Sequence, residues 1–457
     1  MAKHVNLLNG PIFSSLTALA LPIMGSQLMQ MAYNLTDMLW IGQVGVGAMA
    51  AVGAVGLFMW LSNGLAILAR MGGQVMVAQN IGAGDMDKAG RYAAAALQLG
   101  GALALGYTLI LVLGSGPLIG FFKLNSPQVI ADARIYLLLV AIGMPFSFIN
   151  QVLVSVITAT GNSRTPFIAM ACGLGANIVL DPLLIFGIHG VFRWGVAGAA
   201  LATTLAQAAV FLILYIYARR DRFFFPHVHL LQKTSGRELR NLLKISAPAA
   251  GLNVLFPIIN IILARMVAAF GDGAVAIQKV GGQVESISWM TADGFAAATN
   301  SFVGQNYGAG KLRRAKKGVA VSFTLMSIWG VLCTLLLVFA AKPIVRVFIS
   351  DPAVLPMGAE YLVIVGLSEL FMCWEILIEG AYAGFGHTLT PSILSAVVTV
   401  LRIPLSALLS TTSLGLNGIW WSISLTTIFK GILLLSIFLL FLHSLTRKFN
   451  ARNGIRP

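Results

Sequence analysis

The chain has 457 residues, 58% of them hydrophobic and only 10% charged, and a mean hydropathy of +0.87. That balance excludes a soluble globular domain and requires a membrane protein of many spans. The net charge of +15 lies in short clusters between apolar runs, without a basic face interleaved with aromatics, so it bears on membrane orientation and excludes a nucleic-acid role.

The apolar runs are continuous and much longer than the ten-residue alternating strands of a barrel, so the spans are helices. At roughly 20 residues per crossing there are twelve: 13–40, 48–78, 92–118, 133–158, 165–188, 195–218, 242–268, 274–304, 318–341, 357–382, 391–411 and 417–443. The predicted fold is an all-α integral membrane protein of two six-helix lobes, 1–218 and 241–457, joined by a linker at 219–240. Lys and Arg fall 20 to 5 on the two faces: Lys3, Arg456 and the linker cluster are on the richer face, Lys123 on the poorer. The richer face is cytoplasmic, and both termini lie on it.

Span one carries the most informative stretch, Gln30 to Asp37. Gln30, Tyr33, Asn34 and Asp37 are three or four residues apart and share one helical face. An ionised Asp at mid-depth costs at least ~3 kcal/mol, so the stripe should face a partner or a wet cavity. The alternative is a helix-end Asp at the interface, near the Gly42–Gly47 turn. Pro22 removes a backbone bond in the same helix and predicts a hinge there. On span five, Asn177 and Asp181 are one turn apart and Pro182 follows. An acid beside an amide suits a cation or proton, although a capping Asp near a membrane exit would look the same.

Gln79-Asn80-Ile81-Gly82-Ala83-Gly84 recurs as Gln305-Asn306-Tyr307-Gly308-Ala309-Gly310, an offset of 305 − 79 = 226. Pro22 meets Pro248 and Gly25 meets Gly251 at the same offset. Thr160-Gly161 through Pro166 aligns with Phe385-Gly386 through Pro391, and Gly195-x-x-Gly198 with Gly415-x-x-Gly418. Halves with an even number of spans enter the membrane from the same side, so an axis along the membrane normal relates them. Two such bundles can rock about a central cavity. The Gln-Asn turns lack the Gly-Lys-Ser/Thr of a phosphate loop and read as helix C-caps.

In the second half Glu375 and Glu379 share a face of span ten. Pairing across helices with Arg402 or Lys430 and a second coupling site both remain open readings. Cys172, Cys333 and Cys373 lie singly in apolar runs and read as small buried hydrophobes. There is no Gly-x-Ser-x-Gly, no His-Glu-x-x-His and no paired Cys, so an enzyme is not expected.

Jointly these residues resemble the multidrug and toxic compound extrusion (MATE) transporters across nearly the whole chain. The resemblance rests on Gln30–Asp37, the Gln-Asn-x-Gly-Ala-Gly turns, Thr160–Pro166, Asn177–Pro182 and Gly198–Thr203. It implies export of cationic or amphipathic compounds in exchange for H⁺ or Na⁺ by a monomer in the plasma membrane, with no other cofactor. It also implies that Gln30, Tyr33, Asn34 and Asn150 line the substrate cavity, and that Asn177 and Thr203 join Asp37 and Asp181 in binding the coupling H⁺ or Na⁺. NorM-like members carry acids in spans seven and ten, where this chain has Asn253, Val254 and Met372; the first-lobe pair is similar to the DinF-like branch. Glu375, Glu379 and Arg402 fit neither pattern and mark a possible second-lobe site. Burial and mutual repulsion favour a proton on one of Asp37 and Asp181. Rival readings are a lipid-linked saccharide flippase, which Arg70, Arg265 and Arg402 would serve, and an integral-membrane enzyme.

Overall fold

A computed structural model describes residues 4–122, 124, 126–187, 193–348 and 354–452; Lys3, Lys123 and Arg456, used above for orientation, lie outside them. Its helices are α1 Ile12–Val44, α2 Val46–Gly82, α3 Met86–Leu113, α4 Ser115–Gly120, α5 Pro127–Ala159, α6 Arg164–Ile185 and α7 Gly195–Arg220. A single 3-10 turn, Phe225–His227, interrupts the linker. There follow α8 Gly236–Ala268, α9 Asp272–Gly308, α10 Leu312–Phe339, α11 Ala341–Phe348, α12 Leu355–Gly366, α13 Glu369–Gly384, α14 Leu389–Val400, α15 Arg402–Ser410 and α16 Leu416–Arg452.

The all-α membrane architecture is as expected. Ten helices are long and apolar enough to cross a bilayer, with Leu389–Ser410 counted as one. The pair α12 and α13, bent by 44° at a short break, makes an eleventh. That is one fewer than the twelve expected: α9, 37 residues long, carries Lys279, Glu285 and Asp293 along its length and is not among the helices apolar enough to cross. Cys172, expected to be buried, is exposed, whereas Cys373 is buried; the face of α6 that bears Cys172 is not covered by protein, a position that apolarity alone cannot distinguish from a packed one.

The chain groups into two compact units. Unit one takes the segment up to Asn6 and Leu21–Ala250; unit two takes Leu7–Ala20 and the chain from Gly251 onward. Hydrogen bonds account for the unexpected pieces. In unit two the Leu7 carbonyl accepts from Asn306 Nδ2 at 3.1 Å and from Arg314 Nε at 3.2 Å. In unit one the start of α8 is held where Asn241 donates to the Tyr92 hydroxyl at 2.9 Å and where the Gly72 amide donates to Ser246 Oγ at 2.9 Å. The division within α1 falls one residue before Pro22, and that within α8 two residues after Pro248.

Unit one packs around Tyr136, Leu137 and Phe148 and around Tyr92, Val152 and Phe224. Unit two packs around Tyr382, Phe385 and Phe438 and around Tyr361 and Trp420, whose rings meet edge-on at 5.1 Å.

The repeat seen in the sequence is a repeat of backbone. Gly195 and Gly415 open α7 and α16 with φ of 51° and 50°, a left-handed conformation that favours glycine. Three residues on, a Cβ on Gly198 would lie 2.2 Å from the Leu184 carbonyl, and one on Gly418 2.4 Å from the Leu409 carbonyl. Each glycine therefore lets a helix start close against the end of the preceding one. Replacing Gly198 with Ala should cost about 1–3 kcal/mol through overpacking, read as a lower unfolding temperature in detergent. Gly56→Ala, where a Cβ meets nothing within 4 Å, is the control and should unfold no earlier than the parent protein.

Candidate functional site

The first-unit acids come together. Asp37 stands on α1, 7 residues before its end at Val44, and Asp181 on α6, 4 residues before its end at Ile185. Neither is at a helix end, which removes the capping reading. Asp181 and Asn177 are fully buried, and the Asn177 amide donates to Asp181 Oδ1 at 3.1 Å, the contact their spacing predicts. The charges of Asp37 and Asp181 act on each other. Both also act on Tyr33.

What distinguishes the site is the number of oxygens left unpaired. Asp37 Oδ1, Asp181 Oδ2 and Asn177 Oδ1 are buried without a hydrogen-bond partner among the described residues, and the buried Tyr33 hydroxyl and Thr203 Oγ1 have only each other. Buried polar groups are normally satisfied, and exceptions mark functional positions. An array of carboxylate, amide and hydroxyl oxygens has the donor chemistry of a hard monovalent cation or a proton. Sequence reasoning missed one member. Tyr136 on α5 is buried, and Asp37, Tyr33 and Asp181 all act on its hydroxyl. The spacing within one helix cannot reveal a residue brought in by another.

Beside the acids is a small open cleft lined by Met29, Gln30, Tyr33, Met170, Gln207 and the backbone of Gly173. Gln30 and Tyr33 therefore line a cavity wall together with two methionines, which adapt to varied apolar shapes. Asn34 is exposed and accepts from Gln30 Nε2 at 3.3 Å. Asn150 stands behind the wall, where its amide donates to Gln207 Oε1 at 3.1 Å and to the Gln207 carbonyl at 2.9 Å. Pro22 lies inside a continuous α1; one turn on, the Ser26 hydroxyl donates to its carbonyl at 3.0 Å. The Phe167 ring fills the space that a side chain on Gly25 would need.

The second unit treats its acids differently. Lys430 Nζ lies 2.6 Å from Glu375 Oε1 and donates to Thr399 Oγ1 at 3.3 Å. Glu379 accepts from Ser395 Oγ at 2.6 Å. The Arg402 guanidinium does not pair with either Glu; it donates to Thr426 at 2.9 Å and to Thr427 at 2.8 Å. Of the two cations offered for pairing, Lys430 takes Glu375.

A duplicated bundle of membrane helices with unpaired carboxylate oxygens buried beside a cleft has the organisation of a transporter. The chain belongs to the MatE family, whose model matches twice, over residues 22–183 and 248–408. The second match begins 226 residues after the first, the repeat offset read from the sequence. The chain is similar over 435 residues, at 28% identity, to a probable multidrug resistance protein NorM of Thermotoga maritima, covering 94% of this chain and 92% of that one. It is 28% identical over 422 residues to a probable multidrug resistance protein, YoeA, of Bacillus subtilis, covering 90% and 89%. It is 26% identical over 440 residues to an FAD transporter of Shewanella oneidensis, covering 94% and 95%. Among solved structures, a MATE protein in a bent conformation superposes with a TM-score of 0.91 at 22% identity, covering 98% of this chain and 99% of the other. A MOP superfamily transporter of Pyrococcus furiosus gives 0.90 at 21%, with 98% and 99% covered. These two likenesses establish the fold.

The buried ion pair gives a stability prediction. Lys430→Met leaves Glu375 without its cation and should cost about 3–5 kcal/mol, seen as a fall in unfolding temperature. Adding Glu375→Met in the same chain should recover most of that loss; a double variant as unstable as the single one would show that the pair does not act as a unit.

Proposed function

We propose that this protein is an antiporter of the DinF-like branch that exports cationic or amphipathic compounds across the plasma membrane in exchange for H⁺ or Na⁺, working as a monomer with both termini in the cytoplasm. The observation that carries this reading is the group of unpaired buried oxygens around Asp37 and Asp181. Ionised, the two carboxylates hold a cationic compound in the cleft beside Gln30 and Tyr33. A proton or Na⁺ from outside, taken up with help from Asn177 and Thr203, removes that negative charge and with it the attraction for the cargo. The hinge is at Pro22, where α1 passes from one compact unit to the other.

The magnitudes are adequate. Turning a two-state equilibrium from 1:99 to 99:1 takes ~5.5 kcal/mol of differential affinity. Neutralising a carboxylate in hydrocarbon is worth at least ~3 kcal/mol, so two such groups are of the required size. An anionic cargo would meet two acids beside this cleft, which argues against the FAD named for the Shewanella relative and against a saccharide-phosphate flippase. In the second unit the Lys430 contact and the Arg402 bonds to threonines support a structural part for Glu375, Glu379 and Arg402.

The test is ethidium efflux from reconstituted vesicles under separate proton and sodium gradients. Asp37→Asn and Asp181→Asn should each slow gradient-driven efflux about tenfold or more, equivalent to ~1.4 kcal/mol, while eluting as folded protein. Undiminished efflux in Asp37→Asn would remove Asp37 from the mechanism. Tyr136→Phe should have a smaller effect, because it removes a hydroxyl and leaves the charges in place.

A further inference from the structure

A different carboxyl, in unit two, is left unexplained by everything above. Glu369 is the first residue of α13, immediately after the break at which the span Leu355–Gly384 bends by 44°. It is fully buried, and neither of its oxygens accepts a hydrogen bond.

Its surroundings come from three other elements and from its own helix. Glu285 and Ser288 approach from α9, Cys333 from α10, Tyr361 from α12, and Cys373 lies one turn on along α13. The charge that acts on Glu369 is that of Glu285, a like charge. The two buried cations of this unit, among the described residues, are committed elsewhere. Lys430 is on Glu375, and the Arg402 guanidinium, which donates to Thr426 and Thr427, acts on Glu285 and Glu375.

An ionised carboxylate with a lone serine hydroxyl beside it, no cation and a like-charged neighbour costs several kcal/mol in a protein interior. A neutral carboxylic acid avoids that cost. The start of α13 also supplies free backbone N–H groups and the positive end of a helix dipole. Those can stabilise the carboxylate once the helix break opens and water enters. The position is thus arranged for both protonation states, and broken spans in transporters are where ions are handled.

We propose that Glu369, facing Glu285, is a second proton-binding site, occupied in the state described here and emptied in another state of the transport cycle. The exchange is simple: the carboxylic acid gives its proton to water and becomes a carboxylate, and the reverse reaction reloads it. The site does not share a residue with the Asp37–Asp181 pair and does not rest on that pair being the coupling site.

Infrared spectroscopy of the full chain in lipid tests this without requiring transport. At neutral pH the protein should show the C=O stretch of a buried carboxylic acid. The band should vanish in Glu369→Gln and persist in the Asp37→Asn/Asp181→Asn double variant. Glu285→Gln removes the like charge, so ionisation of Glu369 becomes easier and the band should be lost at lower pH than in the parent protein. In vesicles containing a pH dye, Glu369→Gln should still export ethidium but move one fewer proton per ethidium. No Glu369-sensitive band, an unmoved titration in Glu285→Gln, or an unchanged proton count each overturns the proposal. Persistence of the band alongside failure of the Asp37 variants to affect efflux would leave this site standing and sink the other reading.

Discussion

Charge in a low-dielectric interior is the constraint on which the rest of this molecule depends. A carboxylate among membrane helices must find a cation, a set of donors, water or a proton. The protein uses more than one of these solutions. Glu375 has Lys430 at 2.6 Å, and Glu379 has a serine hydroxyl. Asp37, Asp181 and Glu369 have oxygens for which the fold provides no partner. The first two acids are part of how a helix bundle is held together. The last three keep at least one buried oxygen unpaired.

The repeat explains how such sites are built cheaply. The backbone devices recur in both halves: the glycines that open α7 and α16 with matched φ, and the close approach of Gly198 to Leu184 and of Gly418 to Leu409. Those positions define helix ends and crossing distances, so both units inherit the same frame. The acids within the spans do not recur. Offset by 226, Asp37 meets Leu263, and Glu285 meets Met59. A duplicated frame with unduplicated acids lets one unit present side chains that the other does not.

The same economy appears in the helices that open each half. α1 and α8 each divide between the compact units next to a proline, Pro22 or Pro248. Proline deletes one backbone hydrogen bond and weakens the helix locally, so a bend placed there strains fewer contacts than a bend elsewhere. The ends of these helices are tied by side chains that donate to carbonyls and hydroxyls, such as Arg314 to Leu7 and Asn241 to Tyr92.

Much of this was legible in the residues alone. Continuous apolar runs with charges between them dictate helices across a bilayer, because hydrocarbon offers no partner for an unpaired backbone. The i, i+4 spacing of Asn177 and Asp181 dictates their hydrogen bond, because a helix repeats every 3.6 residues. The glycine turns at Gly84 and Gly310 were readable as helix ends for the same local reason. Which acid meets which partner was not readable. Glu375 could have gone to Arg402 or Lys430, Tyr136 gave no sign that it belonged beside Asp37, and nothing in the pattern separated buried Glu369 from an interfacial Glu. Those outcomes depend on how helices far apart in the chain are rotated and packed against one another, and rotation is decided by the whole set of side chains at each crossing. A sequence states what must be kept from lipid; only the packed bundle decides with whom it is kept.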